Sequence, residues 1–432
     1  MEKKKVLIIT YYWPPSGGAG VQRWLKMSNY LQESGVEVHI LVPKPEKASY
    51  FVSDKSLIKE IHPDIHIHKT NTIEPFGIYK KLFGKKNIPA AGFSNVNPSD
   101  FKQKISIFIR SNLFIPDPRK FWKRFAVKKA TEVIKKHNIQ TIITSSPPHS
   151  LQLIGLKLKQ SLGVHWIADL RDLWTDIYYY PILNHTKLSN FIDKRYEKKV
   201  IKNADVITTV SPNFVETYKE KLKAKSDNKF VLVPNGYDPK DFQDFVYQAH
   251  NEFVITYTGT ISKDYPILPF LDALTKFQEK FPQRKIKLRF VGVIYEELKV
   301  ELAKRNLDGQ TEFTGYVSHK ASIEYLGKSV ALLLLGPLNK NLKEGGIPAK
   351  VFEYLASSRP IIYIGKADGF VADILDETSG GKTFSEDIDS ILEHLEFLYI
   401  GFENKTESPT NNTAYTQYSR KELAKRFIQH IK

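Results

Sequence analysis

Val6-Leu7-Ile8-Ile9-Thr10, the glycine-rich run Pro14-Pro15-Ser16-Gly17-Gly18-Ala19-Gly20, an amphipathic stretch from Val21 to Ser34 and a second aliphatic run at Val36–Val42 read as strand, turn, helix, strand. The same rhythm continues down the chain. Thr141–Ser145, Val164–Asp169 and Asp205–Val210 are strand-like, with helical patterns such as Lys123–Lys136 and Ile192–Ile201 beside them. Beyond residue 250 it repeats in Phe253–Thr258, Lys287–Val291, Ala331–Leu335 and Pro360–Ile364. Continuous aliphatic strands joined by helical crossovers are covered on both faces, which means parallel sheets in an α/β fold. Two doubly wound sheets fit better than one. The turn-rich Pro234-Asn-Gly-Tyr-Asp-Pro-Lys-Asp-Phe242 and the aperiodic sequence to about Asn251 mark the break. The expected layout is a first Rossmann-like domain over 1–240, with an irregular insertion at 44–125, and a second over 250–410. A terminal helix is expected over 416–432, with Ser419 and Glu422 spaced as a capping box.

The 432 residues carry 64 Lys and Arg against 47 Asp and Glu, a formal charge of +17, and no cysteine. Disulfide scaffolds, Cys-ligated zinc, iron–sulfur clusters and thiol nucleophiles are therefore excluded, and a reducing cytosol is expected. The aliphatic run Val330–Leu335 is far short of the ~18 residues that span a bilayer. Val6–Ile9 is too short for the core of a signal peptide. Basic and aromatic residues interleave in the insertion: Phe76, Tyr79, Lys80, Lys81, Phe83, Lys85 and Lys86, then Arg110, Arg119, Lys120, Phe121, Trp122, Lys123 and Arg124. They fit a solvated insertion or a surface for anionic lipid, to which each Lys or Arg contributes about 1 kcal/mol. No nucleic-acid module accompanies them, so no nucleic-acid partner is expected.

Glycines before a helix let backbone N–H groups approach an anion, and the helix dipole favours that charge; a purely structural turn is the alternative. A dinucleotide site would need an acid at the tip of strand two, where Leu41-Val42-Pro43-Lys44 stands, so NAD is not expected. Gly380-Gly381-Lys382-Thr383 lacks the first glycine of a P-loop, Asp376 standing there, and follows a helical pattern. His66 and His68 share a strand face near His62, but no carboxylate or cysteine completes a metal set with them, so a polar strand edge is expected. No G-x-S-x-G elbow supports a hydrolase triad. The strongest signal is Lys343-Glu344-Gly345-Gly346-Ile347-Pro348-Ala349-Lys350-Val351-Phe352-Glu353-Tyr354-Leu355-Ala356. Pro348 suits a first helical turn and the glycines make its approach pliable. The helix start offers N–H groups to a diphosphate beside Lys350, and Glu353 can accept hydrogen bonds from a ribose diol. A plain capped helix packed by Val351, Phe352 and Leu355 would explain only the apolar positions.

That segment, with Tyr11-Tyr12-Trp13-Pro14-Pro15, Gly17-Gly18 and Gln22-Arg23, resembles the retaining family-four glycosyltransferases of the GT-B fold. Ser145-Ser146-Pro147-Pro148-His149-Ser150 and Ala168-Asp169-Leu170-Arg171-Asp172-Leu173-Trp174 resemble a subgroup of bacterial surface-polysaccharide pathways. Ala204–Thr208, Ser211, Pro234–Asp238 and Tyr257-Thr258-Gly259-Thr260 match in the same order. The resemblance implies two facing Rossmann-like domains with a terminal helix crossing back, and sugar transfer from a nucleoside diphosphate sugar without cofactor or metal. It implies that Glu353 holds the ribose, Gly346, Ile347 and Lys350 the diphosphate, and Tyr316 and Val317 the base through backbone groups. Gly17 and Gly18 would close over the phosphates. The family's second acid falls at Gly345, leaving Glu344 one residue away for the sugar. Its phosphate arginine falls at Thr260, leaving Lys263. Arg171, Asp172 and His149 are the acceptor-side candidates. The implied acceptor is a lipid-linked or glycan intermediate, on the inner face of a cytoplasmic membrane. A sugar-nucleotide epimerase or a non-catalytic nucleotide-sugar binder are the other readings.

Overall fold

The computed structural model describes residues 3–50, 52–74, 101–223, 228–247, 251–261, 263–336, 346–406 and 413–432. Residues 75–100, which hold half of the basic–aromatic insertion, and Glu344 and Gly345 lie outside them. Contacts divide the chain into Met1–Pro234 with Arg420–Lys432, and Asn235–Ser419.

The first unit is a seven-stranded parallel sheet of β1 (Lys5–Ile9), β2 (Glu37–Pro43), β3 (His66–Thr70), β4 (Thr141–Ser146), β5 (His165–Leu170), β6 (Val206–Thr209) and β7 (Phe230–Leu232). Their order is β3-β2-β1-β4-β5-β6-β7. Side chains of alternate residues enter opposite layers. Leu7, Ile9, Ile142 and Trp166 join one buried cluster, and Val6, Ile8, Ile143 and Ile167 the other. The terminal helix Arg420–Ile428 closes the second layer by packing on the helix Ala19–Glu33. Leu423, Ala424 and Phe427 are buried there, with the Phe427 ring 5.2 Å from that of Trp24. Burial of each large side chain stabilises by roughly 1.5–3 kcal/mol.

The second unit is a six-stranded parallel sheet of β8 (Phe253–Thr258), β9 (Ile286–Val291), β10 (Thr311–Gly315), β11 (Ala331–Leu335), β12 (Ile361–Ile364) and β13 (Gly381–Phe384), in the order β10-β9-β8-β11-β12-β13. Strand order reverses between β1 and β4 in one sheet and between β8 and β11 in the other. Ligands of open α/β sheets bind beyond the strand ends at such a reversal.

β7, β10 and β13 had no sequence expectation, and all three are sheet edges. An edge is not covered on both faces, so Thr311-Glu-Phe-Thr-Gly315 and Gly381-Lys-Thr-Phe384 lack the aliphatic run that marks a central strand. Lys382 and Thr383 thus sit in an edge strand. The insertion is also partly regular: it contains β3 and the helix Phe101–Leu113. Trp122 is buried, its Nε1–H donating to Thr70 Oγ1 at 2.7 Å, and Arg119 is buried near Tyr11, so neither belongs to the surface. Among the described residues no helix is long and apolar enough to cross a membrane.

Candidate functional site

Pro348 opens a turn whose first bonds run from Val351 N–H to the Pro348 carbonyl and from Phe352 N–H to that of Ala349, so these two amides are engaged. The helix Lys350–Ala356 follows, pinned by buried Val351, Phe352, Tyr354 and Leu355. Ile347 is buried in the same cluster, which leaves its backbone to meet a ligand, whereas Gly346 is exposed. Tyr354 Oη accepts from the Thr258 N–H at 2.8 Å and so ties this helix to the end of β8.

Lys350 reaches the same strand end. Its Nζ donates to Tyr257 Oη at 2.7 Å and stands 4.0 Å from the centre of that ring. Gly259, at φ +102°, has no side chain to crowd it: a Cβ there would lie 3.1 Å from Nζ. Burial pushes the Lys350 ammonium down to about 7, and Glu353 pulls it partly back. One turn on, a Glu353 carboxylate oxygen lies 3.0 Å from His319 Nε2, while His319 Nδ1 is 3.8 Å from Asp241. His319 lies two residues beyond the Gly315-Tyr316-Val317 loop, where Tyr316 is exposed and Val317 half-buried, so this ring joins that loop to Glu353. A groove beyond the ends of β11 and β12 is lined by Tyr265, Gly336, Gly346, Pro348, Tyr363 and Lys366, among others.

Of the expected donor residues, Gly346 and Ile347 line that groove, whereas Lys350, Glu353, Tyr316, Val317, Thr260 and Lys263 are not among its lining residues. Thr260 is exposed, its carbonyl accepting from Tyr257 Oη at 2.9 Å. Lys263 is exposed and paired with Glu297. Sequence reasoning gave no role to His319, Tyr257 or Lys366. The partners of the first two come together only on folding, so no local signal marks them.

In the first unit the glycine loop is held by the segment after it: Gly17 N–H donates to Val52 O at 3.0 Å, and Asp54 N–H to Pro15 O at 2.8 Å. Gly18, at φ +95°, caps the helix Ala19–Glu33. Arg171 ties three loops together by donating to the carbonyls of Gly20 and Ser146, each at 3.2 Å, and of Pro147 at 3.4 Å. Burial raises the pKa of the neighbouring Asp172 and Arg171 offsets part of that rise. His149 stacks on Trp174 with ring centroids 4.8 Å apart. Burial, with Arg171 and Lys221 adding, pushes His149 down to about 3, so it is neutral at pH 7. Its Nδ1 is buried without a hydrogen-bond partner among the described residues. Asp169 has a different part: fully buried, it accepts from Arg23, Trp24, Ser145 and Thr208 and is a structural hub.

The family description Glycosyltransferase Family 4 matches residues 93–241, and Glycosyl transferases group 1 matches residues 252–400. Together with the two Rossmann-like sheets they define the class: the chain is a glycosyltransferase of the GT-B fold. It belongs to the family-four glycosyltransferases. Among solved structures, a glycosyltransferase from Rickettsia africae ESF-5 is similar at 14% identity and TM-score 0.64, over 99% of this chain and 98% of that one. S. aureus TarM, in complex with Fondaparinux, alpha-GlcNAc-glycerol and UDP, is similar at 10% identity and TM-score 0.59, over 99% of both chains. A trehalose-6-phosphate protein from E. coli, bound with UDP-2-fluoro glucose, is similar at 11% identity and TM-score 0.61, over 98% of both chains. At such identities the likeness is one of fold. No curated protein sequence matches this chain.

Proposed function

We propose that this glycosyltransferase moves a sugar, with retention of configuration, from a nucleoside diphosphate sugar to a lipid-linked or polysaccharide acceptor, with no metal in the transfer step. The donor half is carried by the position of Lys350 at the strand-order reversal of the second sheet, one turn before Glu353. Breaking the sugar–phosphate bond leaves negative charge on the diphosphate. Protonated once the diphosphate is bound, this ammonium stabilises that charge without reorganising at the moment of reaction. In this reading Glu353 holds the ribose diol, Gly346 and Ile347 present backbone to the diphosphate, and Tyr316 and Val317 present backbone to the base. Lys366, on the wall of the groove, is a second phosphate cation, and Thr260 and Lys263 are further donor-side candidates. Glu344 serves the sugar. The acceptor hydroxyl attacks on the face the diphosphate leaves and passes its proton to the departing phosphate oxygen, so no protein nucleophile is required. Neutral His149, Arg171 and Asp172 orient the acceptor.

The membrane half rests on an exposed patch of the first unit. Phe108, Leu113, Phe121, Tyr178, Ile182, Leu188 and Phe191 are exposed on or beside the helices Phe101–Leu113 and Lys187–Asn203, which pack together. Lys120 Nζ lies 5.5 Å from the Phe121 ring centre. Apolar side chains among cations suit an anionic bilayer on the inner face of the cytoplasmic membrane. Retention on anionic liposomes at low salt tests this part, and failure to be retained contradicts it. For the reaction, NMR of the product formed on a native lipid extract reads the anomeric configuration. The donor's configuration is expected in the product, and an inverted linkage overturns retention.

A further inference from the structure

β2 and β3 pair in parallel with His39 opposite His66 and Leu41 opposite His68. Glu37 and His39 on one strand and His66 and His68 on the other therefore share a face of the sheet. His137, the last residue of the helix Lys123–His137, lies against them, its ring centroid 4.5 Å from that of His39. His39 is fully buried. Its Nε2 is 2.9 Å from a Glu37 carboxylate oxygen and its Nδ1 is 3.0 Å from His68 Nε2. The His39 and His66 rings stack at 4.7 Å, and His66 is exposed.

We propose that Glu37, His39 and His66 form a binding site for a divalent transition metal of the zinc type, with His68 orienting His39 and water completing the sphere on the exposed side. Ligand atoms of Glu37, His39 and His66 already lie within 4.8 Å of one another. Zinc bonds of about 2.0–2.2 Å place tetrahedral ligand atoms roughly 3.3 Å apart, so rotation of the exposed His66 ring closes the set. His39 coordinates through Nε2 and donates its Nδ1–H to His68, the outer hydrogen bond that fixes the tautomer of a metal-bound imidazole. Burial lowers the pKa of His39 and His137, and that of His68 to about 4, so these rings are neutral at pH 7. Hydrogen bonding to His39 keeps Glu37 ionised. Lys5, 3.7 Å from the other Glu37 oxygen, and Lys129 and Lys136 are the nearby cations that weaken the site without occupying it. Imidazole ligands favour zinc, copper or nickel over magnesium. Bound metal would fasten the edge strand β3 to β2.

The test is calorimetric titration of chelator-stripped full-length protein, carrying no polyhistidine tag, with Zn2+ and separately with Mg2+. One Zn2+ per chain is expected, with no Mg2+ binding. Co2+ in place of Zn2+ should give the visible absorption of a four-coordinate site. His66→Ala, at an exposed position, and Glu37→Gln, which keeps the side chain's shape, should each weaken Zn2+ at least about tenfold while circular dichroism is unchanged. Absence of Zn2+ binding overturns the proposal. So does Zn2+ affinity undiminished in either variant, because the ion would then sit elsewhere.

Discussion

Lys350 Nζ donates to Tyr257 Oη at 2.7 Å and stands 4.0 Å from the centre of the same ring, so this half-buried lysine is held by a phenol rather than by a paired carboxylate. Its pKa near 7 lies well below the usual lysine value. Protonation is disfavoured in the unliganded fold, so the associated stability is full above the ordinary lysine value and is lost progressively as pH falls from about 10.5 to about 7. A bound diphosphate reverses the preference. Above pH 7, binding of a nucleoside diphosphate should therefore take up a proton, and affinity should fall by up to about tenfold per pH unit. Calorimetry in buffers of different ionisation heat reads the uptake. Neither the parent nucleoside nor the Lys350→Met variant should show it.

Glu353 and His319 act as a pair in this site. Hydrogen bonds to a charged group contribute roughly 1.5–3 kcal/mol, so Glu353→Ala should weaken donor binding about tenfold to over a hundredfold. His319→Ala leaves the carboxylate in place and should cost less. Dissociation constants of the two variants and their double mutant decide this.

Asp169 and Arg23 form a 3.0 Å ion pair with both side chains out of solvent. Removing one partner strands the other charge, which costs about 3–5 kcal/mol. Asp169→Ala should lower the urea midpoint accordingly, with the slope of the transition unchanged.

Phe427 anchors the terminal helix on Trp24. Phe427→Ala should cost about 3–5 kcal/mol through the cavity it leaves. Loss of the Trp24 contact should show in tryptophan fluorescence.

The sheet centres were legible because strands covered on both faces carry continuous apolar runs, as Ala331–Leu335 does. Edges such as Gly381–Phe384 have no such constraint and left no mark. Lys350 and Glu353 stood out because Gly-Gly-x-Pro-x-Lys has no use in ordinary helix packing. His319 did not, since its partner is 34 residues away in the chain. Within His62–His68 the one acid is Asp64, which stays beside His62; the register of β2 on β3 brings Glu37 to His66 instead. Asp169, in a motif that looked functional throughout, spends its carboxylate on four internal donors.

The central claim, a nucleoside diphosphate site built on Lys350 and Glu353, is tested most directly by thermal-shift measurement with UDP, GDP, dTDP, CMP and NAD on the wild type and Glu353→Ala. Ligand at a hundred times its dissociation constant adds about 2.7 kcal/mol, enough to move the melting curve. One nucleoside diphosphate should shift the wild type and lose most of that shift in the folded variant. A response to NAD alone, to no nucleotide, or equally in both proteins would contradict the account.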